Sequence, residues 1–233
     1  MWQNRPVRSK QLELDQYATD KVRNGYMPWY DQIFGDDFES VKCMLELGVH
    51  TGGSLELWRD YFPRATVIGI DADLTRCHCT DRTRIEVFEG SQVDAAFLRS
   101  VARQAAPDGF DLIIDDASHV AWQTAASFWT LFDYLRPGGY YVIEDWGTGY
   151  LPDWTDGKTA KQPSYEVSLL ERIARRLDIH FRQRSHQHGM VGFVKKLIDE
   201  QGLRDLTRGK RKSPFASITI TPGIAAVRKN PLE

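Results

Sequence analysis

Apolar positions along this chain fall into two rhythms that alternate. Short, largely apolar runs at 41–47, 65–70, 85–88, 111–116 and 140–145 read as buried strands. Between them, residues 54–61, 94–104 and 122–135 repeat apolar side chains at helical spacing, as Phe97, Leu98, Val101 and Ala102 do. Arg136-Pro137-Gly138-Gly139 predicts the end of the third helix, because proline cannot continue it and glycine supplies the turn. Helices are also expected over 164–177, with Ser164 as N-cap, and over 190–201, with Gly202 as a stop. The intervening stretch 146–163 is rich in Gly, Asp, Thr, Pro and Trp and reads as a long loop. Residues 216–221 and 224–229 alternate around Pro222-Gly223, a hairpin signal. Strands alternating with helices imply an α/β fold with a mostly parallel sheet, here closed by an antiparallel pair.

In such sheets ligands bind beyond the carboxyl ends of the strands. The first strand runs into LELGVHTGGS at 45–54. Gly48, Gly52 and Gly53 allow a tight turn and a close approach to a ligand where a Cβ would clash. The helix start that follows presents unpaired N–H groups. The second strand ends in Asp71, whose carboxylate can accept both hydroxyls of a ribose. The order E-x-G-x-x-x-G-G is not the G-x-G-x-x-G of a dinucleotide site. Glu46 would repel a pyrophosphate and suits a cation, such as the amino group or sulfonium of S-adenosylmethionine. The pattern resembles motif I of the class I methyltransferases.

Two later strands end in Asp115-Asp116-Ala117-Ser118-His119 and Glu144-Asp145. Adjacent strand ends would bring Asp116, Glu144 and Asp145 together, with His119 one short turn away. Clustered carboxylates repel one another in a low-dielectric cleft unless something positive sits between them. A hard divalent cation fits, Mg²⁺ best. A histidine with an unperturbed pKa of about 6.5 can take a proton at working pH. Helix caps and a structural histidine are the bland alternatives for the same residues.

On these motifs, together with RPGGYYVIED at 136–145 and YATDKVRNGYMPWYDQIF at 17–34, the chain resembles the metal-dependent sugar O-methyltransferases of antibiotic biosynthesis. That macrolide-sugar group is itself similar to the cephalosporin hydroxylase group. The resemblance implies a Rossmann-like class I methyltransferase: a seven-stranded mostly parallel sheet with a C-terminal antiparallel hairpin and a helical lid insertion. It implies Mg²⁺ ligands at Asp116, Glu144 and Asp145, and His119 as general base. It implies S-adenosyl-L-methionine contacts at Glu46, Gly48, Thr51, Ser54 and Asp71, with Ser91 and Gln92 on the adenine side and Asp115 also facing the cofactor. Lys21, in a T-D-K segment that folds over the cofactor, would meet its carboxylate. Ala117 stands where the family often has glycine. The expected division is 1–40 as an N-terminal helical and lid segment, 41–145 as the cofactor-binding core, 146–215 as a substrate-lid insertion and 216–233 as the closing hairpin, in one domain. The expected partner is a small-molecule glycosylated acceptor. Family members often assemble as homo-oligomers.

Trp146, Tyr150 and Trp154 suit either stacking on a sugar face or pinning their loop to the body. His186 and His188 lie in a polar stretch, 182–188, expected as an exposed loop near the cleft mouth. Arg204, Arg208, Lys210, Arg211 and Lys212 read as a solvated loop; an RNA methyltransferase would use the part near Arg208 to Lys212 on its substrate. A net charge of −2 argues against nucleic-acid binding. No run has the length of a membrane span and the N-terminus has no apolar signal region. Three cysteines make no disulfide framework, and Cys77-His78-Cys79 lacks a second ligand pair, so a cytoplasmic, reduced protein is expected. Two further alternatives stay open: a hydroxylase on the same fold, adding oxygen rather than methyl, and a non-catalytic cofactor-binding scaffold indifferent to Mg²⁺.

Overall fold

The computed structural model describes residues 7–159, 173, 186–206 and 212–232. Its strands are β1 (Cys43–Leu47), β2 (Thr66–Asp71), β3 (Ile85–Glu89), β4 (Phe110–Asp115), β5 (Leu135–Glu144), β6 (Phe215–Ile220) and β7 (Ile224–Lys229). They form one seven-stranded sheet in the order β3-β2-β1-β4-β5-β7-β6. The first five run parallel; β7 is antiparallel to β5, and β6 to β7. The helices are α1 (Met27–Phe34), α2 (Gly53–Tyr61), α3 (Ala95–Ala105), α4 (Ala121–Leu131), α5 (Thr155–Thr159) and α6 (Gly189–Leu206).

The two-residue period of the strands divides the core. Leu45, Leu47, Ile70, Ile113, Tyr141 and Ile143 face one way, against apolar residues of α3, α4 and α6. Met44, Val67, Leu112, Ile114 and Val142 face the other, against α1 and α2. Phe128 of α4 packs on Tyr141, Phe193 and Phe215, which ties α6 and the hairpin to the sheet. In register, Leu47 of β1 pairs with Asp115, and Asp115 pairs with Ile143. The chain therefore leaves β1, β4 and β5 at one level, and Asp116 follows directly beside Glu144. No helix among the described residues is long and apolar enough to cross a membrane.

Several expectations shift. The helix expected over 122–135 stops at Leu131 and gives way to a 3-10 turn, Phe132–Tyr134. Arg136–Gly139 belongs to β5 because the sheet captures it: Leu135 pairs with Phe110, and Arg136 Nη1 donates to both oxygens of Asp111 at 2.8 and 3.0 Å. Gly202 does not stop α6, which continues to Leu206; the space around Gly202 is open, so nothing forces a turn. The stretch after β5 contains a 3-10 turn, Trp146–Tyr150, and α5. Trp146 anchors it, donating from Nε1 to the Thr221 carbonyl at 2.8 Å. His186 is buried rather than exposed, its Nε2 lying 2.9 Å from the Gly149 carbonyl oxygen, and burial lowers its pKa. His188 is exposed. Ahead of the core, Lys21 lies in a turn between 3-10 segments and α1, not in a helix. Apart from Ile173, the helix expected over 164–177 lies outside the described residues, as do 182–185 and the basic residues Arg208, Lys210 and Arg211.

The start of α3 offers a direct test of local stability. Asp94 caps it by accepting the N–H groups of Ala96 and Phe97, both at 3.0 Å. Asp94→Ala should lower the unfolding free energy by about 1 kcal/mol in a urea titration, and Asp94→Ser should recover most of the loss.

Candidate active site

A cavity of about 1180 Å³ opens at the carboxyl ends of β1, β4 and β5. Its wall includes Gly48, Thr51, Ser54, Asp71, Asp116, His119 and Asp145. Residues Ala18, Thr19, Asp20 and Tyr26 of the N-terminal segment close the side facing the glycine loop.

The glycine loop turns as expected, with Gly48 at φ +91° and Gly52 at φ +90°. What it approaches differs from expectation. A Cβ on Gly48 would lie 2.2 Å from the Asp116 carbonyl oxygen, one on Gly52 2.5 Å from Cys79 Sγ, and one on Gly53 2.3 Å from the Ala18 carbonyl oxygen. The glycines make room for the protein's own chain, drawing the loop against the end of β4 and under the N-terminal segment. Asp71 locks this turn. Its Oδ2 accepts the N–H groups of Val49 and His50 at 2.8 and 2.9 Å, and Oδ1 accepts that of Asp73 at 3.1 Å. Thr51 donates to the Ala18 carbonyl at 3.1 Å, and Ser54 to Glu46 at 2.6 Å.

Asp116, His119 and Asp145 meet across the cavity floor. His119 Nε2 lies 3.7 Å from Asp116 Oδ1 and 3.9 Å from Asp145 Oδ2. One ligand atom from each of the three residues lies within 4.8 Å of the others. His119 and Asp145 both sit at φ 52°, in the left-handed region. Non-glycine residues there are uncommon, and such strain gathers at functional positions. Trp154 presents its ring to His119 edge-on, with centroids 5.5 Å apart.

A second, wholly enclosed layer lies beneath this floor. The Lys21 ammonium contacts Asp116 at 2.5 Å, Glu144 at 2.6 Å and Glu46 at 3.3 Å, with no exposed surface. Glu46 also accepts from Trp58 Nε1 at 2.9 Å. Tyr30 donates to Glu144 and Tyr26 to Asp145. Burial is the largest single influence on Lys21 and disfavours its charge, but Glu144, Asp116 and Glu46 together hold it well above its ordinary pKa. Burial raises Glu144 and Glu46, and Lys21 pulls both back. Burial, then the bond to Asp145, drives the Tyr26 phenol upward.

This layering redistributes the expected residues. Gly48, Thr51, Ser54 and Asp71 line the cavity; Glu46 and Glu144 do not. Lys21, expected at a cofactor carboxylate, is spent on carboxylates of the protein itself. Asp115 faces away from the cavity: it shares the Ile113 side of β4 and accepts from Ser127 at 2.6 Å and Tyr141 at 2.9 Å. Burial raises its pKa. Gln92 is buried in the same network, with Nε2 3.4 Å from Asp115 and Oε1 accepting the Ser118 N–H at 3.1 Å. It steadies the loop that carries His119 and does not line the cavity. Ser91 is exposed and accepts the Val93 N–H at 3.3 Å. Tyr26 and Tyr30 join the site from outside the expected set. Their four-residue spacing at the head of an amphipathic stretch is the signal that aims both toward one side.

A family model described as Rhamnosyl O-methyltransferase/CmcI matches residues 40–167. Mycinamicin VI 2''-O-methyltransferase of Micromonospora griseorubida is 42% identical over 209 residues, covering 85% of this chain and 45% of the relative. The 8-demethyl-8-(2-methoxy-alpha-L-rhamnosyl)-tetracenomycin-C 3'-O-methyltransferase of Streptomyces olivaceus is 37% identical over 179 residues, 72% of this chain and 44% of the relative. The solved structure of MycE methyltransferase from the mycinamycin biosynthetic pathway, in complex with Mg, SAH and mycinamycin VI, matches with a TM-score of 0.72 at 29% identity, covering 97% of this chain and 54% of that one. The chain thus spans about half the length of the relatives it matches.

The close approach at Gly48 is testable against a control. Gly48→Ala should destabilise the protein by more than about 1 kcal/mol in chemical denaturation, through φ strain and the clash with Asp116. Gly25→Ala, at φ +72° with nothing within 4 Å of the added Cβ, carries φ strain alone and should cost clearly less.

Proposed function

The chain belongs to the Rhamnosyl O-methyltransferase/CmcI family, and from that premise we propose that it is an S-adenosylmethionine- and Mg²⁺-dependent O-methyltransferase acting on a sugar hydroxyl of a glycosylated natural product. The observation that carries this reading is the convergence of Asp116, His119 and Asp145 on one cavity beside the glycine loop. MycE, crystallised with Mg, SAH and mycinamycin VI, supports the ligand classes. Relatives named for methylation of rhamnosyl and olivosyl groups support the acceptor class.

The floor residues fit a hard divalent cation. Asp116 and Asp145 each bond inward through one oxygen, to Lys21 and Tyr26, and turn the other toward His119. Those outward oxygens would give an incoming ion its first contacts, with His119 beside it. When bound, S-adenosylmethionine would supply a methyl group on a sulfonium sulfur that departs as a neutral thioether, and the cation would supply charge that eases deprotonation of an acceptor hydroxyl. His119 takes the proton as the acceptor oxygen bonds to the methyl carbon and the carbon–sulfur bond breaks. Asp116 and Asp145 flank its imidazole, at 3.7 and 3.9 Å from Nε2. Asp71 and the glycine loop hold the nucleoside side in place, and Thr148, Tyr150, Leu151 and Trp154 wall the cavity on the side that follows β5. Trp154, half exposed beside His119, offers a stacking surface for the acceptor.

Calorimetric titration with S-adenosylhomocysteine, followed by Mg²⁺ or EDTA, tests the ligand assignment; absence of cofactor binding would sink it. His119→Ala should lower turnover by about 10²–10⁴-fold with cofactor affinity unchanged, and intact turnover would remove His119 as the base. Trp154→Ala should raise the KM for the glycosylated acceptor more than it lowers kcat. A product heavier by one methylene rather than by one oxygen separates methylation from hydroxylation.

A further inference from the structure

Glu144 has both oxygens engaged and almost no exposed surface. Oε2 meets Lys21 at 2.6 Å and Oε1 accepts from Tyr30. Asp116 is divided, with Oδ2 on Lys21 and Oδ1 toward His119 and the cavity. The Lys21 ammonium therefore already occupies the position between Asp116 and Glu144 where a cation is required, and Glu46 completes its surroundings. A divalent ion taken up at Asp116 would share that carboxylate with Lys21, and the two cations, held by the same acid, would compete for its charge.

Lys21 is carried by a segment of turns rather than by a regular element. Residues 20–25 form bends and turns without regular helix or strand, and Gly25 at φ +72° has open space around it. The same segment forms a cavity wall through Ala18, Thr19, Asp20, Arg23, Asn24 and Tyr26. Its polar anchors are the Thr51 hydroxyl on the Ala18 carbonyl, the Tyr26 bond to Asp145 and the Lys21 cluster. Two of these three anchors end on carboxylates of the cation site.

We propose that Lys21 is a built-in surrogate for the divalent cation: the ammonium and the metal are alternative partners of Asp116 and Glu144, and metal uptake releases Lys21 and loosens the wall formed by residues 18–26. This deepens the metal-dependent reading above and rests on it. Lys21 is thus a positioning residue that sets metal affinity and couples it to the cavity wall. Without metal it keeps the carboxylates assembled; with metal it frees Glu144 to join the ligands.

Two measurements on the full chain test this. Calorimetric Mg²⁺ titration should give Lys21→Met an affinity about ten-fold or more above that of the unaltered protein, with Lys21→Arg near the unaltered value. Hydrogen exchange of the unaltered protein should show residues 18–26 exchanging faster at saturating Mg²⁺ than in EDTA. Mg²⁺ binding detected only in Lys21→Met also supports competition. Equal or weaker binding by Lys21→Met overturns the proposal, as does unchanged or slower exchange over 18–26 in the metal-saturated protein. If Lys21→Met does not fold, the exchange measurement decides alone. No Mg²⁺ binding by any of the three proteins removes the metal reading itself, and the proposal with it.

Discussion

Three carboxylates from three neighbouring strands converge on one fully buried ammonium, and the geometry of the site follows from that constraint. Glu46 lies in β1, Asp116 just past β4 and Glu144 at the end of β5, and Lys21 reaches all three. Uncompensated, each buried charge would cost several kcal/mol, and removing one partner of a buried pair typically costs about 3–5 kcal/mol. Once formed, the pairing therefore holds an irregular N-terminal segment against the sheet's carboxyl edge. Once there, the segment supplies Tyr30 to Glu144 and Tyr26 to Asp145, so the acids receive hydrogen bonds as well as a counter-charge. One side of the cavity is a consequence of this neutralisation.

Above that layer the chain is held in conformations it would not choose alone. His119 and Asp145 occupy left-handed backbone positions, and Gly48 is pressed so close to Asp116 that no side chain fits. Hydrogen bonds from neighbouring side chains fix the glycine loop and the turn before His119. Asp71 clamps the glycine loop by three backbone N–H groups, and Gln92 holds Ser118 next to His119. Such preorganisation suits a reaction whose rate depends on alignment. Asp71 remains on the cavity wall, so the same carboxylate braces the turn and stays available to a ligand.

Much of this was legible in the residues. The strand runs, the acidic strand ends and the closing hairpin were readable from apolar periodicity, and the hairpin strand at Ile224–Lys229 has the expected bounds. Clustered carboxylates demand a positive charge, and the strand ends taken alone point to a metal. The structure meets the demand first with Lys21, which lies 95 residues from Asp116 and 123 from Glu144 along the chain. Nothing in local pattern links residues so far apart. The side-chain direction of Asp115 follows from the strand period: a strict two-residue alternation through β4 puts Asp115 with Ile113 and Asp116 with Ile114, on opposite faces.

By itself the sequence determined the α/β alternation, the strand ends that carry chemistry and the loop where glycine is required, because these depend on periodicity and on contacts between near neighbours. Tertiary structure alone decided which acids face the cavity and which are neutralised beneath it, what the glycines approach, and where β5 begins. These outcomes depend on burial and on electrostatic pairing between distant segments. Both are set by how the strands stack, and neither is written in any local stretch of the chain.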